Sequence, residues 1–178
     1  VPWVLRLRGA LDREALGQAL RALIERHHSL RTRFVVECGD PRQVVDSLVA
    51  SPLTFHDLSG LDDGRRSAEL ERLGSLQVRE PFDLTRTPLL RTMLIQQAAD
   101  DHVLLVTIHH IISDGWSTGV LVRELGACYT ASLLNEPPAL PPLAVQYADF
   151  TLWQRDWLAG AELERQTQYW RNQLAELA

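Results

Sequence analysis

His102-Val103-Leu104-Leu105-Val106-Thr107-Ile108-His109-His110-Ile111-Ile112-Ser113-Asp114-Gly115 decides how the chain is read. Its first seven residues are apolar toward both faces of an extended chain, the pattern of a central strand covered on both sides. Ser113-Asp114-Gly115 is turn chemistry. Beyond it Leu121, Leu125 and Cys128 recur at helical spacing, which predicts a helix from about Ser117 to Leu134. A strand that turns into a helix carries its C-terminal end where α/β folds usually present reactive groups.

Leu89 to Gln96 reads as a second strong strand, and Trp3 to Arg8 alternates as a third. Phe34-Val35-Val36 and Gln43-Val44-Val45 read as a hairpin across Cys38-Gly39-Asp40-Pro41, and Leu53-Thr54-Phe55 as a short extended piece. Asp12 is a plausible N-cap, with Glu14 in the first turn. Leu16, Ala19, Leu20, Leu23 and Ile24 then share one helical face to about Arg26. Leu70, Leu73 and Leu76 predict a helix between Asp62 and Arg79, stopped by Pro81. Prolines 137, 138, 141 and 142 make 135–146 a stiff connecting loop. Two closing helices are expected, one through Phe150, Trp153 and Trp157, the other through Leu163, Trp170, Leu174 and Leu177. The expected class is α/β, a central mixed sheet flanked by helices.

The 178 residues carry 18 Lys+Arg against 23 Asp+Glu, a net charge of −5, and are 46% hydrophobic, which excludes disorder of the whole. No basic stripe calls for nucleic acid. The longest apolar runs are too short to span a membrane, and no secretory leader is visible. Every basic residue is Arg; without Lys there is no Schiff base and no Walker-type phosphate loop. Two cysteines, Cys38 and Cys128, make no disulfide framework, which fits a reducing cytoplasm.

The chemistry concentrates in His109, His110, Asp114 and Gly115. Adjacent strand residues point to opposite faces, so one imidazole is expected to pack and the other to face a cavity, where neutral imidazole is a ready general base. Asp114 is placed to fix the strand end by accepting hydrogen bonds in the turn or pairing with Arg. Gly115 permits a tight turn or a close approach to ligand. A metal set of His109, His110 and Asp114 is disfavoured by those opposite faces, and no metal is expected. Gly115-Trp116-Ser117-Thr118-Gly119 matches a hydrolase nucleophile elbow, but no His follows His110 to complete a triad in that order. Ser117 reads better as a helix cap.

His109-His110-Ile111-Ile112-Ser113-Asp114-Gly115 fills the His-His-x-x-x-Asp-Gly motif of nonribosomal peptide synthetase condensation domains, which the chain resembles, in the chloramphenicol-acetyltransferase-like superfamily. Arg26-His27-His28-Ser29-Leu30-Arg31-Thr32-Arg33-Phe34 is similar to a second family motif, with His28 where Glu is common. Phe82-Asp83-Leu84 with Pro88-Leu89-Leu90-Arg91, and Tyr147-Ala148-Asp149-Phe150-Thr151-Leu152-Trp153, resemble two more.

The resemblance implies peptide-bond formation between acyl or peptidyl and aminoacyl thioesters in antibiotic-type secondary metabolism. The substrates arrive on 4'-phosphopantetheine arms of donor and acceptor carrier proteins, with no cofactor held by the domain itself. His110 and Gly115 would be the catalytic positions. His109 would be buried support, and Asp114 structural, in a salt bridge whose partner belongs to the second lobe. Arg26 and Arg31 would support the site, either pairing with an acid inside the lobe. Residues 1–178 would form the N-terminal lobe alone, with the C-terminal lobe as a missing partner, the isolated lobe inactive and an exposed apolar face inviting self-association. Rival readings are a noncatalytic recruiting module of the same fold and a coenzyme A-dependent acyltransferase.

Overall fold

The computed structural model describes residues 1–47 and 52–176. The chain falls into two compact units, Val1–Pro142 and the segment from Leu143 onward. The division lies within the proline-rich stretch expected to connect elements.

The first unit contains strands β1 (Pro2–Arg8), β2 (Thr32–Glu37), β3 (Asp40–Val45), β4 (Leu53–Asp57), β5 (Leu90–Ala98) and β6 (Asp101–Ile108). Its helices are α1 (Arg13–Arg26), α2 (Asp63–Arg79) and α3 (Gly115–Leu134). Four strands form a mixed sheet in the order β1-β6-β5-β4, with β6 antiparallel to β1 and β5, and β4 parallel to β5. β2 and β3 form a separate antiparallel hairpin across Cys38 and Gly39, both at positive φ.

β6 is interior, and each of its residues from His102 to Ile108 is buried. The two-residue period sorts them between two cores. Leu104, Val106 and Ile108 join Leu90 and Leu94 against Leu16, Leu20, Leu23 and Ile24 of α1 and Leu121 of α3. Val103 and Leu105 join Ile95 and Leu58 against Leu73 of α2. Helices therefore cover both sheet faces, which is why β6 reads as a continuous apolar run.

Helix starts follow their caps. Asp12 accepts from the Ala15 N–H at 2.9 Å, and Asp62 from the Arg65 N–H at 2.9 Å. Three expectations need correction. β5 runs two residues past Gln96, because pairing with β6 continues through a bulge to Ala98. On α2, Leu76 is exposed, and Gln77 is buried in its place, donating to Thr107 Oγ1 at 3.1 Å. Gln77 continues the Leu70–Leu73 stripe at i+7, a position that Leu76 misses. The third concerns the start of α3, which is Gly115, two residues before the expected Ser117.

The second unit contains α4 (Tyr147–Trp157) and α5 (Gly160–Leu174). Phe150, Trp153 and Trp157 form a ladder along α4 with ring centroids 5.6 Å apart, the two tryptophans within 5° of parallel. The helical spacing is as expected, but these rings are exposed, as are Leu163, Trp170 and Leu174. Leu177 lies outside the described residues. Among the described residues no helix is long and apolar enough to cross a membrane.

Candidate active site

β6 ends at Ile108, one residue before the His pair. His109 is still extended, and its N–H donates to Leu89 O at 3.0 Å. His110 has already left the strand: it opens a 3₁₀ turn over His110–Ile112. The two imidazoles are thus separated by the start of a turn, not by the alternation of a strand.

His109 organises that turn. Its Nδ1 accepts from the Ile111 N–H at 3.1 Å, and its carbonyl accepts from the Ile112 N–H at 3.2 Å. An accepting Nδ1 carries a lone pair, so the ring proton of neutral His109 sits on Nε2. The ring meets Phe82 edge-on, with centroids 5.9 Å apart and planes at 88°. His109 is half-buried, not fully buried.

His110 has the opposite tautomer. Its Nδ1 lies 2.7 Å from Ser113 O. A carbonyl oxygen can only accept, so Nδ1–H donates and the lone pair of the neutral ring is on Nε2. The His110 side chain is exposed, so that lone pair is available to an incoming group.

Asp114 caps α3. Its Oδ1 accepts from the Ser117 hydroxyl at 2.6 Å and the Ser117 N–H at 2.8 Å, while the Asp114 N–H donates to Ser117 Oγ at 3.2 Å. These bonds, the hydroxyl first, hold the Asp114 carboxyl below the usual carboxylate range. No ion pair reaches Asp114 among the described residues. The cap is therefore Asp114, with Ser117 completing the box at the third helical position, a correction to the reading of Ser117 as the cap. The Ser117 hydroxyl is committed to Asp114 and lies inside the first turn of α3, so it has neither the base nor the elbow of a hydrolase nucleophile.

Gly115 is the first helical residue. A Cβ built there meets nothing within 4 Å, so no contact within the described chain demands glycine. Its N–H is one of the helix-start donors that no intrahelical carbonyl can take.

Arg26 and Arg31 are tied to the fold. Arg26 Nε donates to Glu124 Oε2 at 3.0 Å, and its NH2 to Pro141 O at 2.7 Å. His27 Nε2 lies 2.7 Å from the same Glu124 oxygen. Arg31 NH1 donates to Asp46 O at 2.6 Å. Burial would raise the Glu124 carboxyl, but the hydrogen bonds and charges of His27 and Arg26 outweigh it and hold it low. This cluster joins α1, α3 and the proline-rich segment.

Sequence reasoning missed three residues. Glu124 is 5% exposed; its signal was a lone acid on the Leu121–Leu125–Cys128 stripe of α3, since a charge at a core-facing position requires a partner. Phe82 and Arg91 stood in a quoted stretch without a role. Arg91 lies over the Phe82 ring, 3.9 Å from its centroid. Among the described residues no three His, Cys, Asp or Glu side chains gather as a metal set.

A protein-family model described as Condensation domain matches residues 1–178. Malpibaldin synthetase of Mortierella alpina is 46% identical over 177 residues, 99% of this chain and 3% of that protein. Chondramide synthase cmdD of Chondromyces crocatus is 42% identical over 177 residues, 99% of this chain and 4% of that protein. The structure of the complex of the X-domain and OxyB from teicoplanin biosynthesis matches with a TM-score of 0.87 and 33% identity, covering 100% of this chain and 38% of that one. The chain thus spans a small share of the length of its relatives.

Proposed function

This chain belongs to the condensation-domain family and has its chloramphenicol-acetyltransferase-like fold, a mixed sheet with flanking helices; from that membership we propose that it is the N-terminal lobe of a domain that forms peptide bonds between carrier-bound thioesters. The observation that carries the reading is the tautomer of His110, with Nδ1–H on Ser113 O and the Nε2 lone pair on an exposed side chain.

In this reading the amine of an acceptor aminoacyl thioester attacks the carbonyl carbon of a donor acyl or peptidyl thioester. A C–N bond forms, the C–S bond breaks, and the thiol of the donor's phosphopantetheine arm leaves. His110 Nε2 accepts a hydrogen bond from the amine. That contact aims the nitrogen and takes up the positive charge developing on it, by orientation or by proton transfer. The proton lost from nitrogen leaves on the thiol. The Gly115 N–H, at the positive end of α3, sits beside the reacting atoms. His109 and Asp114 act on the site through the turn and the cap.

Donor and acceptor carrier proteins deliver the substrates, and the other lobe of the domain supplies the facing wall. The isolated chain is therefore inactive; dipeptide from this chain with two loaded carriers would overturn that. Its exposed α4 ladder supports self-association, which a monodisperse monomer at high concentration in light scattering would contradict. The free thiols of Cys38 and Cys128 fit work in the cytoplasm.

The test is His110→Ala in the intact parent synthetase, following dipeptidyl product. A loss of about 100-fold or more is expected of a residue in this role; an unchanged rate removes His110 from the mechanism. A second reading, recruitment of a partner protein, is favoured by the likeness to the X-domain, whose structure is a complex with OxyB. Partner capture without any dipeptide from the wild-type synthetase would support it instead.

A further inference from the structure

We propose that Arg91 and Phe82 are positioning residues for His110, acting through His109; this rests on the reading of His110 given above. The connection is continuous. The Arg91 guanidinium donates from NH1 to Glu80 O at 2.7 Å and from NH2 to Pro81 O at 2.6 Å. It thereby clamps the chain just after α2 onto β5. The next residue is Phe82, and the same guanidinium lies against its ring face. Phe82 in turn meets His109 edge-on.

The imidazole of His109 is thus held from two sides: by the Phe82 ring, and by the Ile111 N–H on its Nδ1. The His109 carbonyl receives the Ile112 N–H as well. A rotation of His109 therefore loosens the turn that brings Ser113 O to His110 Nδ1. Without that acceptor the His110 ring can rotate or exchange tautomer, and Nε2 loses its fixed aim.

The residue types fit this task. Arg offers a rigid fork for two neighbouring carbonyls and a flat cation for a ring face; Lys offers a point charge and cannot do both. Phe supplies a flat ring that stands perpendicular to the imidazole at a set distance, which a branched aliphatic side chain does not. Arg91 and Phe82 are also half-buried and outside both core clusters. Their replacement is therefore separable from collapse of the fold.

The experiment uses the parent synthetase with its donor carrier loaded and an aminoacyl acceptor carrier supplied in trans, comparing Phe82→Leu, Phe82→Tyr, Arg91→Lys and His110→Ala. The expected result is a fall in kcat of about tenfold or more for Phe82→Leu and Arg91→Lys, given that an ångström of misplacement can cost about 100-fold. KM for the acceptor carrier stays near wild type, and Phe82→Tyr, which keeps the ring, restores kcat. A purely structural role would instead lower the active fraction, seen in thermal melts, in step with kcat. Wild-type kcat in both Phe82→Leu and Arg91→Lys overturns the proposal, as does a rise in KM at constant kcat. Should Phe82→Leu fail to fold, Arg91→Lys decides. The underlying reading fails separately: His110→Ala then retains full activity whatever the other variants do.

Discussion

Glu124→Gln removes one charge from the cluster that joins α1, α3 and the proline-rich segment while keeping its shape. Glu124 Oε2 serves two partners, Arg26 Nε at 3.0 Å and His27 Nε2 at 2.7 Å. Hydrogen bonds to charged groups contribute about 1.5–3 kcal/mol each, and breaking a buried pair from one side costs about 3–5 kcal/mol. Two features reduce that figure. The Gln amide oxygen can still accept one bond, and the Arg26 and His27 side chains are 17% and 16% exposed, so water reaches them. The expected loss is about 2–3 kcal/mol, or a fall in Tm of about 4–12 °C for a chain of this size. Urea denaturation of wild type and variant measures it.

The pH dependence supplies a second reading of the same contact. The folded Glu124 carboxyl is held low. Its stabilisation is therefore fully present above the unfolded value of about 4.3 and is lost as pH falls through the lower folded value. The part of the gap between wild type and Glu124→Gln that comes from the carboxylate should close as pH falls from the unfolded value through the lower folded value. A variant within about 0.5 kcal/mol of wild type at neutral pH, or a gap that persists at the same size well below the unfolded value, refutes the account.

Gly115→Ala should leave thermal stability unchanged or slightly improved, because the Cβ enters open space and Ala is the better helix former. In the parent synthetase the proposed role of Gly115 predicts lower condensation, because the added Cβ would stand where that reading puts the substrate; full activity would remove Gly115 from the site. Asp114→Ala should lower stability through loss of the cap, whereas Asp114→Asn, which still caps, should stay near wild type at neutral pH in urea denaturation. The Asp114 carboxyl is held low, so its contribution should persist above the ordinary carboxylate range and fade as pH falls through the lower folded value. A difference between Asp114→Ala and wild type that does not change with pH would contradict this.

The sheet and its helices were legible because they obey local rules. β6 reads as a covered central strand from Val103 to Ile108, and α1 reads from its Asp12 cap and its Leu16–Ile24 face. The exposed rings of α4 were not legible as exposed. Spacing identifies an apolar face but not what, if anything, covers it. At the site, the motif located His110 and Asp114 but not their bonds. The switch from strand to 3₁₀ turn after His109 depends on Leu89 O and on the geometry of Ile111 and Ile112, which no periodicity encodes. Phe82 and Glu124 reach their partners across 27 and 97 residues of chain, and only the folded sheet brings them there.

The tautomer of His110 rests on a main-chain carbonyl. Every amino acid at position 113 carries that oxygen, so a change of codon there can alter the side chain without deleting the acceptor. Positions 111 and 112 likewise contribute amide hydrogens to His109, which every residue except proline possesses. The main-chain bonds that set the tautomer are therefore indifferent to side-chain size and polarity and at 111 and 112 are erased only by proline, while Ile112 stays constrained for a separate reason, its packing against the core.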